Sequence, residues 1–147
     1  MQQSIEEDTI RLLRECDAGI KMGVSSIEEV LAHVENATLK QKLSSCKSAH
    51  DKLQSEIDTL LDKYHDDGKS PNPVAKGMSW MKTNVKLAAD DSDNTVAQPM
   101  TDGCNMGVKS LSRYLNQYAA ADERSKDIAK RLIALESELA VDLRAYL

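Results

Sequence analysis

Two stretches decide how this chain folds: Gly19-Ile20-Lys21-Met22-Gly23-Val24-Ser25-Ser26-Ile27-Glu28-Glu29-Val30-Leu31 and Gly103-Cys104-Asn105-Met106-Gly107-Val108-Lys109-Ser110-Leu111-Ser112-Arg113-Tyr114-Leu115. They align without a gap. Gly19/Gly103, Met22/Met106, Gly23/Gly107, Val24/Val108, Ser26/Ser110 and Leu31/Leu115 are identical, Ile27/Leu111 are similar, and the register reaches Ala37/Ala121 before it fades. A repeat decides topology, because each copy must form the same unit.

Outward from the first copy, small and apolar residues fall at 5, 9, 12, 16, 19, 23, 27, 30 and 34, the alternating three–four spacing of one helix face. Asn36-Ala37-Thr38 offers a break and a new N-cap; it also matches a glycosylation sequon, but a turn is the reading taken. Leu39, Leu43, Cys46, His50, Leu53, Ile57, Leu60 and Tyr64 then form a heptad seam. The run His65–Pro73 is rich in turn formers. A short helix is expected over about 74–89, with Asn72 as cap and Pro73 in its first turn. Asp90-Asp91-Ser92-Asp93 links it to a helix over about 95–120, with inner positions Val96, Met100, Gly103, Gly107, Leu111, Tyr114 and Tyr118. Asp122 caps the last helix, whose seam is Ile128, Leu132, Leu135, Leu139 and Leu143. No window alternates with period two for long enough to form a strand.

The fold class is therefore all-α: one domain over 1–147 made of two duplicated helical hairpins, 1–65 and 95–147, joined by a long crossover, 66–94, that contains a short helix. This connectivity is that of the ferritin-like four-helix bundle. Composition agrees. The chain has 147 residues, 41% of them apolar and none of them Phe, so Leu, Ile, Val, Ala and Met must build the core.

The net charge of −5, with no basic cluster free of acids, argues against nucleic acid or an anionic membrane surface as a partner. No stretch of about 18 apolar residues occurs, and the first residues are acidic where a signal peptide would be basic. Cys16, Cys46 and Cys104 are odd in number and form no Cys-x-x-Cys pair. These features lead us to expect a cytoplasmic protein with free thiols.

Glu15-Cys16-Asp17-Ala18-Gly19, the stretch Pro73-Val74-Ala75-Lys76-Gly77-Met78-Ser79-Trp80-Met81-Lys82 and Asp102-Gly103 resemble a bacterial ferritin-like family of uncharacterised four-helix proteins. The resemblance covers nearly the whole chain, and Trp80-Met81 is its most distinctive part. Ferritin-like di-iron proteins place a Glu on helices one and three and a Glu-x-x-His on each partner helix. Here the glycine segments of helices one and three offer no acid on the inner seam. Helix two reads Lys47-Ser48-Ala49-His50, with Lys where Glu should be, and helix four has no histidine. No di-iron centre, no cofactor and no catalytic residue is expected.

Several residues carry a functional reading beside a plain one. His50 lies on an apolar seam one turn after Cys46; it is read as a buried, neutral core histidine, against a variant metal ligand. Glu29 and His33 are read as a surface pair. Cys16, Cys46, Cys104, Met22 and Met106 could form a soft-metal cluster but are read as ordinary core. Met78, Trp80 and Met81 are read as the face that lays the crossover on the bundle. Glycine within a helix costs about 1 kcal/mol against alanine. Gly19, Gly23, Gly103 and Gly107 therefore imply either close helix approach, with the two pairs facing each other, or a small ligand cavity. The function expected is that of a non-enzymatic interaction or stress-associated protein, with an unknown protein partner or self-association into a homo-oligomer. The alternative is a metalloprotein with an atypical site near His50.

Overall fold

The structure, a computed structural model, describes residues 4–70 and 92–147. They form four long helices: α1 (Ile5–Leu31), α2 (Ala37–Lys63), α3 (Asp93–Gln117) and α4 (Glu123–Leu143), followed by a 3₁₀ turn at Arg144–Tyr146. No strand occurs among the described residues. Each long helix begins on a side-chain cap. Ser4, Asn36, Ser92 and Asp122 accept from the backbone N–H of Glu7, Leu39, Thr95 and Ser125 respectively. Asn36 and Asp122 are thus caps as expected. α3 starts two residues earlier and ends three earlier than its periodicity suggested, because Ser92 captures the orphan N–H of Thr95. Pro99 sits in its second turn. The short helix expected over 74–89, with Asn72, Pro73, Met78, Trp80 and Met81, lies outside the described residues.

Hydrogen bonds between distant segments fix the direction of every helix. Asp93, in the first turn of α3, accepts from the backbone N–H of Glu35 and Asn36 in the α1–α2 turn, at 2.9 and 3.3 Å. At the other end, Asp8 of α1 accepts from Ala120 N–H at 3.0 Å, and Thr9 Oγ1 accepts from Asp122 N–H at 2.8 Å. Each hairpin therefore secures the turn of the other. α1 runs antiparallel to α3, and the end of α2 and the start of α3 lie at opposite ends of a bundle about 40 Å long.

α1 pairs with α2 and α3 with α4, while α2–α4 and α1–α3 close the square. α1 also meets α4, whereas α2 and α3 hardly touch, so the cross-section is a rhombus with α1 and α4 on its short diagonal. The expected seams fill most of the interior. Ile5 is 64% exposed, since it precedes the first turn that packs, and Tyr64 and Leu135 are only half-buried. Leu13, Ile20 and Leu61, off the narrow seams, are buried too, because the stripe of a bundle helix is wider than a coiled-coil seam.

α1 also buries two acids, a correction to the expectation of an acid-free inner face. Asp8 is spent on the α3–α4 turn. Asp17, 1% exposed, accepts from Gln54 Nε2 at 2.6 Å, from Lys21 Nζ at 2.9 Å and from Lys69 N–H at 2.9 Å. It thereby anchors the chain as it leaves α2. Gly68 makes that approach at φ +81°, and a Cβ there would collide with the Asp17 carboxylate. Lys69 Nζ adds an ion pair to Glu15.

Candidate functional site: a polar layer at mid-bundle

The buried apolar residues form two clusters. One holds Ile27, Cys46, Cys104 and Leu139; the other holds Ile20, Leu53, Leu111 and Leu132. Along each helix, the gap between clusters contains one distinctive residue: Gly23 on α1, His50 on α2, Gly107 on α3 and Glu136 on α4. These four form a layer across the middle of the bundle. A Cβ on Gly23 would stand 3.0 Å from His50 Nε2 and 3.2 Å from Cδ2. A Cβ on Gly107 would stand 3.1 Å from the Glu136 carboxyl carbon and 3.2 Å from both its oxygens. Two glycines thus make room for one imidazole and one carboxylate.

This arrangement corrects the expectation that the glycine pairs face each other. Gly23 meets α2, Gly107 meets α4, Gly19 has only Leu132 in reach at 3.8 Å, and nothing lies within 4 Å of a Cβ on Gly103. The reason is the rhombic section: α1 closes on α4 across the short diagonal, so the glycine faces look at side chains and not at each other.

His50 is 2% exposed, as its heptad position requires. Its Nδ1 lies 2.8 Å from the Cys46 carbonyl oxygen and 3.6 Å from Cys46 Sγ. Its Nε2 lies 3.8 Å from Glu136 Oε1, within ion-pair reach but beyond a hydrogen bond, and has no hydrogen-bond partner. Burial pulls the imidazole pKa down, but its interactions with Cys46 and with Glu136 outweigh that and hold it at about 10. The expectation of a neutral His50 is therefore wrong. The partner that the seam does not reveal is Glu136, which flanks the α4 seam beside Leu135; with Cys46, its half-buried carboxylate makes the imidazolium the favoured form.

The other candidates disperse. Cys16 belongs to the cluster on the Leu53 side, its thiol pushed up to about 12 by burial and then by the charges of Glu15 and Asp17. Cys104 and Cys46 lie in the opposite cluster, and the Cys104 thiol is raised by burial and by Glu136. All three are free thiols. Met22 and Met106, read as core, are 43% and 63% exposed, because the glycine one position on is what faces inward. Glu29 and His33 are half-buried at the hairpin end, so they are not a plain surface pair.

Among the described residues, no three His, Cys, Asp or Glu side chains converge as a metal site, and no helix is long and apolar enough to cross a membrane. Compared with models of known protein families, with curated proteins and with solved structures, the chain matches none.

Proposed function

We propose that this protein is a non-enzymatic interaction protein built on a ferritin-like bundle that lacks the di-iron ligand set. The observation that carries the reading is the mid-bundle layer. Two irons need several inward carboxylates and two imidazoles at one height. At that height this chain supplies one imidazole, one carboxylate and two glycines that pack directly against them. The ferritin-like assignment draws support from the two hairpins and from the connection between opposite bundle ends. The duplication draws support from the reciprocal turn contacts. Asn36 and Ala120, whose N–H groups are bound by Asp93 and Asp8, are matched by the same register that aligns Gly19 with Gly103. The partner in this reading is a protein, either a different chain or a second copy.

Aerobic loading with ferrous iron followed by metal analysis tests it. Fewer than two irons per chain and no ferroxidase signal are expected. Two bound irons with ferroxidase turnover would overturn the proposal. The second reading, an atypical metal site near His50, is favoured by the unpartnered Nε2 beside Glu136. It predicts one metal equivalent in protein purified without chelator, lost in His50→Leu.

A further inference from the structure

Cys46 differs from the other two thiols in where it sits. It lines a surface groove of about 480 Å³ between α2 and α4, among Gln41, Lys42, Ser45 and Leu139. It is the most exposed of the three, at 8% against 0% for Cys16 and 3% for Cys104. Its Sγ is also 3.6 Å from a ring nitrogen of His50, whose other nitrogen faces Glu136 at 3.8 Å. Sulfur, imidazole and carboxylate thus stand in file, from the groove floor to the polar layer. A thiolate is the nucleophilic form of cysteine, and a neighbouring imidazolium stabilises it. Cys46 and then the carboxylate behind the ring favour the charged imidazole, and Nδ1–H is shared between the Cys46 carbonyl and its sulfur.

We propose that Cys46 is a modification site for small-molecule disulfides: a groove-floor thiolate held by the His50 ring, with Glu136 positioning that ring. In the reaction, the Cys46 proton leaves to solvent through the groove and the thiolate attacks one sulfur of the disulfide. The new S–S bond forms as the old one breaks, the second half leaves as its own thiolate, and no further oxidant is needed. Cys16 and Cys104 have no part in this, since they lie deeper and burial holds both as thiols. The proposal extends the reading as an interaction protein and does not depend on it.

The test uses the folded full-length chain and 5,5′-dithiobis(2-nitrobenzoate), with release of the coloured thiolate followed in time. One thiol per chain should react fast. Iodoacetamide labelling of the unmutated protein, followed by peptide mapping, should place the fast site at Cys46. Cys46→Ser should abolish the fast phase and leave two thiols that react only after denaturation. His50→Gln and Glu136→Gln, each checked for retained helicity, should slow the fast phase by about tenfold or more. Because the mapping needs no variant, it decides the matter even if His50→Gln does not fold. A fast thiol mapped to Cys16 or Cys104, the absence of any thiol faster than unfolding, or an unchanged rate in folded Glu136→Gln would each overturn the proposal.

Discussion

His50 shows how two neighbours, Cys46 and Glu136, reverse the behaviour of a buried group. The heptad spacing made its burial legible, since position 50 falls on the apolar seam between Cys46 and Leu53. Its charge was not legible, because Glu136 lies 86 positions away and only the packing of α4 against α2 brings the two together. The consequence for stability has a definite sign. The folded pKa of about 10 lies above the unbonded value of 6.5, so the folded state retains a proton that the unfolded chain sheds as pH rises. The stabilisation is complete below about 6.5 and is lost as pH climbs towards about 10. Denaturant titrations between pH 6.5 and 10 should therefore show a stability loss carried by His50. That loss should be absent in His50→Gln. An equally steep loss in the variant would assign the slope to another group.

The glycines of α1 and α3 carry the matching lesson for helices. Their symmetric placement was readable as a sign of a compensating contact, but the contact partner was not, because it depends on which diagonal of the bundle closes. With α1 leaning on α4, glycine at 23 and 107 admits the two polar side chains, while glycine at 103 faces open space. The four positions are therefore unequal despite the repeat. Gly103→Ala should stabilise by about 0.5–1 kcal/mol, the helix propensity recovered where nothing stands in the way. Gly23→Leu should destabilise by about 1–3 kcal/mol, because its Cβ alone already presses on His50 at 3.0 Å. Thermal melts of the two variants compare them directly. Equal shifts would mean that the glycines share one environment. The helix caps were better anticipated, since Asn36 and Asp122 act within three residues of themselves and need no tertiary information.

Taken together, the four helices enclose two apolar clusters separated by a polar layer to which each helix gives one residue. The order of the four long helices and their pairing as two hairpins were legible because hydrophobic periodicity is a property of the sequence itself. The rhombic section and the layer were not, because both follow from how the finished helices lean on one another. His50 and Glu136 act as a pair, and neither is a passive core residue. This changes what substitution should do. With a neutral, isolated histidine, His50→Leu would be tolerated, whereas here it leaves the carboxylate of Glu136, 13% exposed, without its cation. Removing one partner of a buried pair is costly, while replacing both by apolar groups of similar volume is often neutral. The most direct measurement is a double-mutant cycle from denaturant unfolding of the unmutated chain, His50→Leu, Glu136→Leu and the double variant. Each single change should cost about 1–3 kcal/mol, and the double should cost at least about 1 kcal/mol less than their sum. Costs that add to within about 0.5 kcal/mol would contradict the pairing at the centre of this account.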